Sequence, residues 1–464
     1  MRHRWWITLF VLGAAAGCKM GPNYSRPSIS TPDSYRQLAP DQQAQSNQSL
    51  GDEKWWDVFK DEELQALVRE ALKQNYDIRI AAERVLQAQA VVGITRADQY
   101  PFISAGASAY NERLPGTKIS HPVQTGPMQV NLSLAWQLDF WGQYRRATEA
   151  ARAQLLSTEW ARKAVISSVV SNVASAYFQL LELDLEMEIS ARTLQSRKES
   201  VRLVTIRQTG GTGTLLDVRQ SEELMYTAAA AIPELERRIG QQENVISILL
   251  GRNPGAVPRS RKLVDTAIAP SVPAGLPSSL LERRPDIQAS EQQLVAANAR
   301  IGVAKAAFFP QIQLTAGAGY QSTALTSLFT GPAGLWSFGA NAVQPIFTAG
   351  KLRSNLHLSE AQKEESVLSY QQAIQQAFRE VSDSLIAYKK NQEFAEQQGL
   401  LTAAAVDAVR LANARYTGGV ASYLEVLDTD TLAYNAEISL AQAQLQERLA
   451  LVQLYNALGG GWQA

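Results

Sequence analysis

Glu425 and Asp428 stand three residues apart, a spacing that puts two carboxylates on one face of a helix. Several copies of such a pair, brought together, would favour cations and raise one another's pKa. The same two residues could instead complement the positive start of a helix. Other chemistry is scarce. His3, His121 and His357 lack metal-ligand spacing, and Cys18 is the single cysteine, which excludes a disulfide framework or a thiolate metal site within one chain. Gly210-Gly211-Thr212-Gly213 looks like a phosphate loop but follows a helical run rather than a strand. No nucleophile–base signature accompanies it, so neither an enzyme nor a bound cofactor or metal is expected.

The 464 residues are 45% hydrophobic, enough for real cores, and the 44 basic residues balance the 44 acidic ones. No global field therefore points to nucleic acid. Residues 1–17 have a basic start, an apolar run from Trp5 to Ala16 and then Gly17, the layout of a secretory signal peptide. Cys18 directly after small residues resembles a bacterial lipoprotein cleavage site, at which it would become the acylated first residue. The other reading is an ordinary signal peptide with an incidental cysteine.

Two stretches must position everything else. Residues 143–209 and 351–417 are 67 residues each, bounded by Gly142 and Gly210 and by Gly350 and Gly418. The first contains no glycine or proline and the second only Gly399, which predicts two helices of roughly 100 Å. The chain is also written twice. Asp77, Ile78, Gly93 and Pro101 match Asp286, Ile287, Gly302 and Pro310 at one offset, and Arg207, Thr209, Gly210, Gly211 and Gly251 match Arg415, Thr417, Gly418, Gly419 and Gly459 at another, one residue shorter. Each unit reads as a helix (62–99, 286–308), two strands, the long helix, a Gly-Gly turn and a returning helix (214–250, 422–458). Pro233 is expected to interrupt the first returning helix. Ile166, Val169, Val170, Val173, Ala176, Tyr177, Leu180 and Leu181 form an apolar stripe for helix pairing.

The strands alternate with period two. In 129–140, Val130, Leu132, Leu134, Trp136 and Leu138 oppose Gln129, Asn131, Ser133 and Gln137; in 311–321, Ile312, Leu314 and Tyr320 oppose Gln313, Thr315 and Gln321. Segments 102–110 and 335–347 follow less cleanly, and Pro345 must sit at a bend or strand end. Length and terminal aromatics fit transmembrane strands. In lipid every backbone donor needs a partner, so an open four-stranded sheet is excluded. Two copies would give an eight-stranded barrel filled by its own side chains; three or more leave a lumen. The fold expected is an α+β membrane protein with an internal duplication. It is a trimeric 12-stranded outer-membrane β-barrel, four strands per chain, continued by a long periplasmic α-helical barrel. A passive porin would place most of its mass in strands, and a structural coiled coil would not need the four alternating segments.

Leu281-Glu282-Arg283-Arg284-Pro285-Asp286-Ile287, Gly302-Val303-Ala304-Lys305-Ala306-Ala307-Phe308-Phe309-Pro310, Leu138-Asp139-Phe140-Trp141-Gly142 and the ending Leu458-Gly459-Gly460-Gly461-Trp462 resemble the TolC-type outer-membrane efflux lipoprotein family, in its OprM/NodT branch. The resemblance implies a homotrimeric exit duct that docks with a periplasmic adaptor (a membrane fusion protein) and an inner-membrane pump of the RND type. It also implies location in outer-membrane lipid, anchored through Cys18 and extending into the periplasm. Its divisions fall at 1–17 (signal), 18–61 (N-terminal, equatorial), 62–251 (first repeat), 252–280 (Pro-rich equatorial linker), 281–459 (second repeat) and 460–464 (tail). By resemblance, Thr209, Gly210, Gly211, Thr417, Gly418 and Gly419 form adaptor-docking tips. Glu425 and Asp428 ring the narrowest aperture, and Asp217 and Tyr416 hold the closed state by a hydrogen bond between neighbouring helices.

The arginine that completes this latch in the family falls at Ala421, which implies a weakly held closed aperture. Ala421→Arg is expected to lower single-channel conductance or open probability of the trimer; unchanged values count against the latch.

Overall fold

The structure is a computed structural model that describes residues 19–29, 31–32, 35, 49–115, 123–259, 261–265, 275 and 277–463. The signal peptide and Cys18 lie outside the described residues. The chain divides into two compact units, one holding residues 19–28, 84–159 and 289–371, the other 29–83, 160–288 and 372–464.

In chain order the helices are α1 (Trp55–Val58), α2 (Glu62–Gln74), α3 (Tyr76–Ala97), α4 (Gln143–Thr209), α5 (Leu215–Leu249), α6 (Pro277–Arg283), α7 (Pro285–Ala306), α8 (Lys351–Thr417) and α9 (Tyr423–Ala457). The strands are β1 (Phe102–Ala109), β2 (Glu112–Leu114), β3 (Val123–Thr125), β4 (Met128–Leu138), β5 (Gln311–Ser322) and β6 (Gly334–Val343). Both 67-residue helices run between the expected bounds. The helix expected over 62–99 is two helices. Asn75 stands between them, its Oδ1 accepting from the amides of Asp77 (2.8 Å) and Ile78 (3.2 Å) and its Nδ2 donating to the Leu249 carbonyl (2.8 Å). One asparagine thus closes α2, caps α3 and ties both to the end of α5. Arg284 marks the matching break between α6 and α7. The 252–280 linker is correspondingly shorter than expected, because α6 begins at Pro277.

Pro233 does not interrupt α5. That helix runs 35 residues through it, as long as α9, with buried Ala228 and Leu235 on either side of the proline. Packing of the flanking turns offsets the one missing amide.

The first unit contains a four-stranded antiparallel sheet of order β1-β4-β5-β6, and β2 and β3 pair as a separate hairpin. Directly opposed residues in such a sheet share a face. Val130, Leu132 and Leu134 of β4 oppose Ala107, Ala105 and Ile103 of β1, and also Tyr320, Ala318 and Ala316 of β5. Trp336 and Phe338 of β6 continue the rows through Ala318 and Ala316. One face is therefore apolar from edge to edge. The other presents Ser104, Asn131, Ser133, Gln137, Gln313, Thr315, Ser337 and Asn341, with Ser104 and Ser133 bonded across strands at 2.9 Å. The register also explains why β1 and β6 read less cleanly, since alanines stand at most of their apolar positions. Strand β6 ends at Val343, short of the expected 347, because Pro345 cannot donate to a ladder.

Beneath the sheet, still in the first unit, α4 and α7 meet through small residues, Ala150 and Ala153 against Ala296 and Ala299. The segment 19–26 straps across them. Asn298 Nδ2 donates to the Pro22 carbonyl (2.9 Å), Arg146 Nε to Met20 (3.0 Å), and Tyr24 and Arg26 bond Glu291 at 3.0 and 2.8 Å. Burial alone would raise the Glu291 carboxyl, but these donors and the Arg26 charge outweigh it and hold the pKa below its ordinary value. The strap's close approach requires Gly302, where a Cβ would sit 2.6 Å from the Met20 carbonyl oxygen.

The second unit has the larger apolar core. Seven of the eight stripe residues from Val169 to Leu181 are buried there, Ile166 being only partly covered. Phe59, just after α1, packs edge-on against Phe178 and Tyr455. Arg259, in the loop after α5, bonds Asp184 (2.6 Å) and Glu243 (2.5 Å), clamping that loop onto α4 and α5. The C-terminal tail is not free: Gly459, Gly460 and Gly461 are buried, and Trp462 packs against Trp160.

Gly302→Ala is expected to push the strap off α7 at a cost of about 1–3 kcal/mol. Hydrogen–deuterium exchange should then rise across residues 19–28 and stay unchanged around Gly211.

Candidate functional site

The chemistry singled out in the sequence gathers at one place in the second unit, where α4 turns into α5 and α8 into α9. The turns are built alike. Thr212 donates its amide to the Arg207 carbonyl (2.8 Å) and Val420 to Arg415 (3.0 Å), each closing a C-terminal cap. Such a cap needs a left-handed residue, and Gly211 and Gly419 supply it with φ of +75° and +74°. A Cβ on either would meet no atom within 4 Å, so it is the backbone turn and not intrachain packing that calls for glycine. Residues 209–212 and 417–420 are all exposed. So are Leu215, Leu216, Val420 and Leu424, an apolar rim around both tips.

Just behind the tips the hairpins pack on one another. Val204 and Val218 from the first meet Ala412, Tyr423, Val426 and Leu427 from the second, with Tyr416 and Leu224 against them. The Tyr423 hydroxyl bonds Ser221 at 2.9 Å. Tyr416 lies 5.1 Å from Tyr423 between ring centroids and carries the Arg207 guanidinium over its face at 4.5 Å.

The duplication makes Asp217 and Glu425 equivalent positions, yet they are used differently. Asp217 completes a capping box at the start of α5: its Oδ2 accepts from the Thr214 amide (2.9 Å) and its own amide donates to Thr214 Oγ1 (3.1 Å). At α9, Ser422 makes no side-chain cap, and Glu425 accepts from Arg415 Nε at 2.9 Å. That pair is about half exposed, so it is worth at most about 1 kcal/mol and can be exchanged. Glu425 is in the first turn of α9, as the helix-complement reading requires; Asp428 lies beyond that turn and is exposed. The structure thus brings Glu425 and Asp428 onto one exposed helix face beside the tip. It does not join Asp217 to Tyr416: among the described residues, each has a different partner.

Polar residues buried along α4 behind the tip were not singled out in the sequence. Arg197, almost wholly buried, bonds Asp430 (2.8 Å) and the Leu224 carbonyl (2.8 Å). Glu182 and Glu186 are buried one turn apart, and Glu186 also bonds Arg238 (3.1 Å) and Gln442 (2.9 Å). Burial, then a hydrogen bond and repulsion from Glu186, push the Glu182 carboxyl up to about 8. Charged residues inside an otherwise apolar stripe were the available signal.

A sheet apolar across one whole face, together with helical hairpins with exposed tips, suits a subunit of a membrane channel. The comparisons agree. Residues 67–252 and 276–460, one block per repeat, match the outer membrane efflux protein family, and the chain belongs to it. It is 38% identical over 467 residues to the solvent efflux pump outer membrane protein SrpC of Pseudomonas putida, covering 98% of each chain. It is 34% identical over 455 residues to the cation efflux system protein CusC of Escherichia coli, covering 97% of each. The solved outer-membrane channel OprN superposes with a TM-score of 0.89 at 30% identity, over 96% of this chain and 100% of that one. The chain is accordingly an outer-membrane efflux component.

A carboxyl that binds its proton more tightly in the native state than in the unfolded chain makes stability fall as pH rises between the two pKa values. The Glu182 contribution is complete below the ordinary value of 4.5 and is lost as pH rises through about 8. Glu182→Gln should therefore flatten the fall in Tm between pH 5 and pH 9 seen in the parent protein, as measured by calorimetry.

Proposed function

We propose that three copies of this chain form one continuous exit duct, passive in itself, for substrates delivered by an inner-membrane pump through a periplasmic adaptor. The observation that carries this reading is the sheet. Its apolar face suits lipid, but β1 and β6 are unpaired edges, and edges cannot be left open in hydrocarbon. Pairing β6 of one copy with β1 of the next removes every edge. Twelve strands is the smallest such closure with a usable lumen, since eight would fill with side chains. The face bearing Asn131, Gln137, Gln313 and Thr315 then lines the water-filled interior.

Helices of 67 residues would carry the duct roughly 100 Å into the periplasm. Residues around 18–61 and 252–276 would wrap it as an equatorial belt, with Arg259 as one of its clamps. The exposed Thr-Gly-Gly tips, rimmed by Leu215, Leu216, Val420 and Leu424, are the surface for the adaptor. Glu425 and Asp428, three times repeated, form an acidic ring at the mouth, and Tyr416 and Asp217 belong to the contacts that hold it closed. Cys18 is the acylated anchor. The energy comes from the pump, of the proton-driven RND type. One relative is named for solvents and another for cations, which fits a permissive duct whose cargo is chosen by the pump.

Native mass spectrometry of detergent-extracted protein, with conductance recorded in planar bilayers, tests the assembly. A trimer that conducts is expected. Monomers that conduct, or trimers of the parent protein that never conduct, would overturn it.

A further inference from the structure

A cavity of about 500 Å³ in the first unit holds four cationic side chains, Lys19, Arg145, Arg146 and Arg152, against a single carboxylate, Glu149. The carboxylate is already engaged, by Arg146 at 3.0 Å and Lys19 at 3.2 Å. Arg145 is turned toward Asp139, outside the cavity, at 3.3 Å. Arg152 is exposed and has no ion-pair partner among the described residues. The cavity therefore keeps a net positive charge that the protein does not neutralise. Part of its wall is apolar: Leu156, one turn beyond Arg152, is 44% exposed, and Val295 faces the same space.

Its depth is informative. Gln99 lines it and lies just before β1 begins; Arg145 is bonded to Asp139, the first residue after β4. The cavity thus sits where the sheet hands over to helix, at the level where hydrocarbon gives way to headgroups if the sheet spans the membrane. Lys19 places it one residue from the lipid-anchoring position.

We propose that this cavity binds the headgroup phosphate of an anionic phospholipid of the periplasmic leaflet, with Arg152 and Lys19 on the phosphate and Leu156 along the first methylenes of an acyl chain. The proposal rests on the outer-membrane reading above. Uncompensated guanidinium and ammonium groups recognise phosphate oxygens through charge-assisted hydrogen bonds. An apolar wall beside them distinguishes a lipid from a free anion.

Native mass spectrometry of the full chain in micelles tests it, with added phosphatidylglycerol, phosphatidylcholine or inorganic phosphate as probes. Arg152→Gln is expected to weaken phosphatidylglycerol binding about fivefold, and Leu156→Gln to weaken it without any change toward inorganic phosphate. Lys363→Gln, a partly exposed charge on α8 that does not line the cavity, should leave it unchanged. Undiminished phosphatidylglycerol binding in Arg152→Gln would overturn the site, as would an equal loss in Lys363→Gln. Equal binding of phosphatidylcholine would remove the charge selection, and full displacement by inorganic phosphate would make it a free-anion site. Bilayer conductance is read separately: lost current with intact lipid binding fails the duct and not this site, and the reverse fails only the site.

Discussion

A backbone amide left open in lipid has no water to turn to, and that constraint organises this molecule. The sheet β1-β4-β5-β6 satisfies its inner ladders, yet the strands that bound it, Phe102–Ala109 and Gly334–Val343, have each only one neighbour among the described residues. A soluble protein would blunt such edges with charge, proline or a covering helix. Here the edge strands present Ile103, Ala105, Trp336 and Phe338 on the apolar face and carry no charged residue. Edges of that composition are built for pairing in a place without water. In the assembly proposed above, partner copies answer a need set by the backbone before any side chain is considered.

Duplication accounts for much of the rest, and departures from it locate the chemistry. Turn for turn, the two hairpins share their lengths, their glycine caps and their arginines at 207 and 415. The tips are the better-matched part of the two hairpins, and within them Gln208 stands against Tyr416, Gly213 against Ala421 and Asp217 against Glu425. In the first hairpin one oxygen of the acid accepts within a capping box. In the second it leaves the cap and pairs with an exposed arginine, an interaction weak enough to exchange for another partner. One residue is thus free of a structural duty that its twin still performs.

Much of this was legible from residue order. Glycines at 142, 210, 350 and 418 bracket runs almost without breakers, and helix termini follow such punctuation closely. The faces of β4 and β5 could be read from alternation, because one side of the sheet there is apolar and the other polar. What failed to show depended on partners distant in sequence. Asn75 looks like an ordinary helical residue until Leu249 is beside it, and Pro233 looks like a breaker until the packing of Ala228 and Leu235 is known. Glu182 and Glu186 sit in helical phase with the apolar stripe, and only the approach of Arg238 and Gln442 explains how charge is accommodated there. The strap 19–26 carries no periodicity; its position comes from Gly302 and from the acid at 291.

Selectivity has few places to reside in such a structure. On the polar side of the sheet the paired positions are Ser, Gln, Asn, Thr, Gly and Ala with an occasional apolar residue at a strand end, and none carries charge. Neutral hydroxyls and amides solvate most solutes about equally well, so a lumen lined by them discriminates by width and little else. Field strength is available only where formal charges converge without strong internal partners. At the tips of each protomer that describes the face of Glu425 and Asp428, whose single ion pair is half exposed. In the trimer proposed above, three such faces around one axis would make the narrowest point also the most negative, a place to filter by charge.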